Sequence, residues 1–302
     1  VTLTPSKNGY VFCPRSRTVA VPPNQVGQDF TGLAATTTLA FCPDTNGYRF
    51  CNGPVNKPCD EGWGTYPDRA PDYRWSDLIR MFGQDAACLM IGSICIPKPQ
   101  AIDFYEEANQ AINNGYCDGM ASTSLRFFTG ADQISTFNST AGTVNELSLS
   151  DVRYHIAYYM VEQATDPVKA YKEQVRQNFP SAILSQLLAA MSGGASDPVT
   201  LFVRPRGGAG GHAVTPFAVE DKGNGISWVR VYDNNYPNDL GRYVEINTVS
   251  QTWSYNLGWA IWTGDRNTKT LGVVPVSEYG REPKCPWCDN ALGKMEPSDA
   301  PR

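Results

Sequence analysis

Nine cysteines in a chain of 302 residues constrain the fold more than any other feature, because the number is odd. In an oxidising compartment eight can pair, and one thiol is left over. Six of the nine fall within residues 1–100, as Cys13, Cys42, Cys51, Cys59, Cys88 and Cys95, and two, Cys285 and Cys288, lie near the end. Cys117 stands apart from both groups. It follows a helical-looking segment and the turn Asn113-Asn114-Gly115, and it opens the run Cys117-Asp118-Gly119-Met120-Ala121. At a helix N-terminus, unpaired N–H groups and the positive end of the dipole favour thiolate over thiol. Cys117 is therefore expected to be the free, reactive thiol, with the other eight as disulfide candidates.

Composition narrows the partners. Apolar residues make up 41% of the chain, enough for a substantial core, and the net charge is −5 with no lysine/arginine cluster, which argues against nucleic acid. The longest apolar run, Ala86 to Ile96, is too short to span a bilayer, so no membrane span is expected. Many cysteines, glycines and prolines with few lysines read as a secreted or cell-surface protein, with Val1 as the start of a processed form or a fragment. Asn138-Ser139-Thr140 is a glycosylation sequon that matters only in a eukaryotic secretory pathway.

Residues 1–100 hold eleven of the 22 prolines and little helical periodicity, and read as a cysteine-rich, disulfide-stapled region. Asn8-Gly9-Tyr10-Val11-Phe12-Cys13 recurs as Asn46-Gly47-Tyr48-Arg49-Phe50-Cys51, which suggests a duplicated turn–strand unit. Cys13, Cys42, Cys51 and Cys59 can pair three ways, and Cys88 and Cys95 are close enough for a local bridge. Residues 101–193 read as helical: Ala101–Asn113, Cys117–Phe128, Val152–Ala164 capped by Ser150-Asp151, a helix after Pro167, and one from Pro180 to Met191. From Val199 the period changes to two, with strands expected at Val199–Val203, His212–Glu220, Ile226–Tyr232, Arg242–Ile246 and Gly258–Trp262. Helices followed by an antiparallel sheet make an α+β domain over 101–268, with its sheet over 199–262. Residues 269–302 read as a loop-rich tail carrying Cys285-Pro286-Trp287-Cys288.

The candidate site residues fall at element ends. Gly210-Gly211-His212-Ala213-Val214 carries one of only two histidines at a strand start, and the next strand closes in Val231-Tyr232-Asp233-Asn234-Asn235. A cysteine, then a histidine, then Asp or Asn at strand ends is what thiol-based acyl transfer requires. The other histidine, His155, lies mid-helix among tyrosines and reads as packing or surface.

In this order and on this background, the three segments resemble a papain-like cysteine peptidase, closer to bacterial Cys-His-Asp members such as the double-glycine leader peptidases than to papain itself. The resemblance covers roughly residues 101–262. It implies Cys117 as nucleophile, His212 as its base and later acid, and Asp233 as the residue that orients the imidazole, with Asn234 or Asn235 as substitutes. The Cys117 backbone N–H would be one oxyanion donor. Relatives usually take a second from a Gln six residues before the nucleophile, where this chain has Ala111, so Gln110, Asn113 and Asn114 become the candidates. A peptide or protein is the implied substrate, and no cofactor or metal is required.

Three motifs are rejected on chemistry. Gly208-Ala209-Gly210-Gly211-His212-Ala213 fits a dinucleotide fingerprint on paper, but a β-pattern follows it where a helix is needed. Asp233-x-Asn235-x-Pro237 lacks the Gly and terminal Glu of a calcium loop. Cys285-x-x-Cys288 lacks the second ligand pair of a zinc site and the helix of a redox pair, so a disulfide is expected there. The expectation is an extracellular thiol hydrolase or acyl-transfer enzyme. Its rival is an inactive extracellular scaffold that self-assembles through the cysteine-rich region. A transglutaminase-like enzyme fits less well because the histidine is followed by Ala-Val, where Ala-Trp would be expected.

Overall fold

The computed structural model describes residues 1–20, 26–52, 70–207, 210–237 and 239–288. The chain is α+β, a helical middle region followed by a curled antiparallel sheet.

Five helices form the first layer: α1 (Pro99–Ala111), α2 (Cys117–Thr129), α3 (Leu149–Glu162), α4 (Val168–Val175) and α5 (Pro180–Ser192). Pro99 and Pro180 sit in first turns, where no N–H is needed. α3 starts at Leu149, three residues earlier than the sequence suggests, because the capping box uses Ser148. The Asp151 carboxylate accepts from both the Ser148 backbone N–H (2.8 Å) and the Ser148 hydroxyl (2.9 Å). α2 is buried almost throughout, and Gly119 lets it lie against α3, since a Cβ there would stand 2.2 Å from the Ile156 carbonyl oxygen.

The sheet holds β1 (Val199–Val203), β2 (His212–Gly223), β3 (Ile226–Tyr232), β4 (Tyr243–Asn247), β5 (Thr252–Asn256), β6 (Ile261–Asp265) and β7 (Leu271–Pro275). Their spatial order is β6-β5-β4-β3-β2-β1-β7. Register shifts along the β2–β3 pair bend the long strand β2. Three features differ from the sequence reading. β5 is a strand of its own. The strand expected at Gly258 starts at Ile261, because Gly258 has φ +92° in the turn closed by Leu257 N–H to Ala260 O. The sheet also runs past 262 into the expected tail, where Leu271–Val274 are buried beside β1. Its Gly and Pro hide that strand from a propensity reading.

The N-terminal region is bound into this body. Thr37–Thr38 pairs with β2 at Ala218 and Val219, beyond the part of β2 that pairs with β1. Leu39, Phe41, Tyr48 and Phe50 join the same core as α2 and the sheet. The sequence echo is not a structural duplication. Tyr10–Cys13 is a strand paired with Thr31–Ala34, whereas Asn46 closes a short helix begun by Pro43, and Tyr48 stacks on Phe50 in the core.

Three disulfides are described: Cys13–Cys42, Cys88–Cys95 and Cys285–Cys288. Cys51 is also disulfide-bonded, and Cys59 lies outside the described residues. Several disulfides fit an oxidising compartment. Cys285–Cys288 closes a local loop whose Trp287 packs on Phe82 and Phe104. No helix among the described residues is long and apolar enough to cross a membrane.

Candidate active site

Cys117 is the free cysteine among the described residues. It opens α2, where its backbone N–H belongs to the turn that has no intrahelical acceptor. The loop before it needs Gly115, which has φ +128°. A Cβ there would also press to 2.8 Å from the Asn52 side-chain oxygen. Asn52 reaches in from the N-terminal region, accepting the Tyr116 N–H through Oδ1 (2.5 Å) and donating through Nδ2 to Asn235 Oδ1 (3.1 Å).

His212 opens β2, opposite Val203 of β1, and is 5% exposed. Its Nε2 lies 2.7 Å from Asp233 Oδ1, and Cys117 lines the same cleft wall as the ring. Burial alone would push the imidazolium to a lower pKa, but the Asp233 charge and hydrogen bond, with a smaller contribution from Cys117, outweigh it and raise His212 to about 10.

Asp233 is fully buried just beyond β3. Burial would raise its carboxyl, but the His212 charge and the hydrogen bonds from His212, Tyr255 and the Asn235 N–H hold it at about 2. Tyr255 also lies parallel to the imidazole, with ring centroids 6.3 Å apart, and Arg242 approaches the second Asp233 oxygen at 3.4 Å.

The two asparagines after Asp233 have other tasks than replacing it. Asn234 donates through Nδ2 to Cys117 O (3.0 Å) and Ala213 O (2.9 Å), tying the start of α2 to the start of β2. Asn235 Nδ2 lies 3.2 Å from His212 Nε2. Its orientation is fixed because Oδ1 faces the Asn52 amide, so it presents a donor, and the Nε2 proton goes to Asp233.

The cleft beside Cys117 has a volume of about 370 Å³, and its wall includes Asn114, Asp118, Lys172, Phe202, Gly211 and His212. A second chamber of about 500 Å³ adjoins it and shares Ala111, Met160, Gln163, Lys172 and Arg204. Of the three oxyanion candidates, only Asn114 lines the cleft, exposed and with Nδ2 donating to Ala111 O (3.3 Å). Gln110 is exposed away from it, and Asn113 is half-buried outside it.

His155 lies away from the cleft, paired with Asp132 at 2.9 Å and packed on Phe137 and Tyr159. Sequence reasoning did not anticipate Lys172 on the cleft wall, or Asn52, Arg242 and Tyr255 behind it around Asp233 and Asn235. Each arrives from a distant segment with no motif around it. Alternation in β5 could have pointed Tyr255 inward, since it shares a buried face with Trp253.

Fold and site together define an α+β protein whose cleft wall carries a thiol and an imidazole, the imidazole bonded behind it to a buried carboxylate. Comparisons with protein-family models, curated proteins and solved structures find no match for this chain.

Proposed function

We propose that this chain is an extracellular thiol hydrolase of papain-like type that cleaves amide bonds in peptides or proteins. The observation that carries the reading is one cleft wall that holds both Cys117 and His212, with the His212 ring bonded to the buried Asp233 carboxylate. With its pKa raised to about 10, the imidazole carries its proton at neutral pH and can hand it to the leaving amine.

The thiolate adds to the substrate carbonyl carbon, forming a C–S bond while the C=O π pair moves to oxygen. The Cys117 backbone N–H, which has no acceptor among the described residues, would bind that oxyanion. Collapse restores C=O and breaks C–N, and the amine leaves with the His212 proton. Water then adds to the thioester, giving a proton to His212, and C–S cleavage releases the acid and regenerates the thiolate. Asp233 keeps the imidazole in one tautomer and orientation.

The test is amidase assay of the purified chain on a fluorogenic peptide library, with Cys117→Ala beside it. Cleavage lost in Cys117→Ala supports the reading. Cleavage that survives in Cys117→Ala, or a wild-type protein that neither cleaves nor alkylates selectively at Cys117, removes it.

One observation favours the rival, a scaffold that assembles through its N-terminal region. Leu89–Ile96 and Ile91–Ile94 are cross-strand pairs on the Cys88–Pro97 hairpin, and all four side chains are exposed on one face. Concentration-dependent self-association that Ile91→Lys abolishes would support it.

A further inference from the structure

The cleft contains a cation that the hydrolase reading has not used. Lys172 of α4 is 5% exposed and lines both chambers. Two neighbours hold its ammonium, Asp118 Oδ2 at 2.5 Å and Gln163 Oε1 at 2.8 Å. An ammonium has three N–H donors, and the third has no acceptor among the described residues. The Phe202 ring, also on the cleft wall, has its centroid 5.7 Å away. Asp118 is itself fixed, since Tyr279 donates its hydroxyl to Oδ1 at 2.6 Å. Asp118 is the residue after Cys117, so this network sets Lys172 beside the first turn of the nucleophile helix.

Position 111, where an amide donor was sought, is an alanine that lines both chambers with Lys172. Asn114 is the other donor nearby, but it is exposed and already donates to Ala111 O. A donor stabilises developing charge most when it is held in place and shielded from water. Lys172 meets both conditions, whereas Asn114 is open to water.

We propose that Lys172 is the second oxyanion donor of this site, directing its third N–H at the oxygen that becomes negative when Cys117 adds to a carbonyl. This rests on the hydrolase reading. Cys117 N–H and Lys172 Nζ–H then share the oxyanion, and on collapse the electron pair returns to C=O with no proton transferred from Lys172. The Asp118 carboxylate keeps the cluster neutral before substrate arrives, so the cation is available without an uncompensated buried charge.

The test compares Lys172→Met, the charge-balanced double variant Asp118→Asn/Lys172→Gln, and Asn114→Ala. Each is measured three ways: kcat on a peptide amide, affinity for a peptide aldehyde, and iodoacetamide alkylation of Cys117. Hemithioacetal formation from the aldehyde places charge or polarity on the same oxygen, whereas alkylation forms no oxyanion. Both Lys172 variants are expected to lose about 10²–10³-fold in kcat and to weaken aldehyde binding in parallel. Alkylation should stay near the wild-type rate. Asn114→Ala should lose less. The double variant, checked by circular dichroism, covers the case in which Lys172→Met fails to fold around an unpaired Asp118. A folded Lys172 variant with wild-type aldehyde affinity, or a larger loss in Asn114→Ala, overturns the proposal while leaving the hydrolase reading in place. A wild-type protein that neither alkylates selectively nor captures the aldehyde removes both.

Discussion

The Asn234 side-chain amide lies 3.0 Å from the carbonyl oxygen of Cys117, and the same nitrogen reaches Ala213 O at 2.9 Å. One side chain thus sets the spacing between Cys117, which begins α2, and Ala213, which follows His212. Asn234→Ala removes both buried bonds and should destabilise the fold by about 1–3 kcal/mol in urea titration. It should also slow alkylation of Cys117, because helix and strand lose their common anchor. Unchanged stability and alkylation would show that the two elements are held apart from this contact.

His212→Ala is expected to slow iodoacetamide labelling of Cys117 at pH 6 by about tenfold or more, the effect of removing an adjacent opposite charge. Mass spectrometry without reduction should find the label on Cys117 and on no disulfide-bonded cysteine. Equal rates in wild type and variant would mean that the imidazole does not act on the sulfur.

Asp233→Asn removes the charge that raises His212. In the wild type, the imidazolium form is lost as pH rises through about 10, so the base limb of the pH–rate profile should fall there. In the variant the limb should move to lower pH. Linkage gives the matching stability effect. The raised His212 contributes stability that is full below its ordinary 6.5 and lost as pH rises through about 10. The depressed Asp233 contributes stability that is present above 3.8 and lost as pH falls through about 2. The Tm difference between wild type and Asp233→Asn should therefore be largest between about pH 4 and 6.5. A base limb that stays in place would separate Asp233 from the imidazole.

Much of this site can be read from the sequence because its members sit at punctuated element ends. Gly115 and Gly119 bracket Cys117, Gly210-Gly211 precede His212, and Asp233 closes an apolar strand. The supporting residues cannot be read this way. Asn52 lies in a proline-rich segment, Lys172 on an ordinary helix, and Tyr255 in a short, half-polar strand, and only the fold brings them together. The strand Leu271–Pro275 was hidden for a related reason: Gly and Pro weaken local preference, and burial against β1 and α4 decides the outcome.

Glu162 gives a test away from the cleft. Burial raises its carboxyl to about 7, against the lowering effects of the Gly280 N–H, Arg126 and Arg80. Oε1 accepts from Gly280, and Oε2 is buried with no partner among the described residues. Holding it ionised opposes folding once pH rises through 4.5 toward 7. Glu162→Gln keeps an acceptor for Gly280 and should stabilise the chain at pH 8 by up to about 3 kcal/mol, with little change at pH 4. Destabilisation at pH 8 would refute this reading.

Asn52→Ala tests whether the cysteine-rich region belongs to the site. It severs the link from Tyr116 N–H to Asn235 and should reduce kcat although it lies 65 residues before Cys117. Wild-type kcat in a folded Asn52→Ala would make that region dispensable for the chemistry.

Cys117 is 9% exposed, at a cleft and not on the open surface. Thiol–disulfide exchange requires the attacking sulfur to approach a bridge in line with its S–S axis, and a recessed sulfur cannot present itself to bridges on the outside of its own or a neighbouring chain. Small oxidants and low-molecular-weight disulfides can still enter and cap it reversibly. A chain built this way can carry a nucleophilic thiol through an oxidising medium without scrambling its own cross-links, and a small thiol reductant would be enough to uncap it.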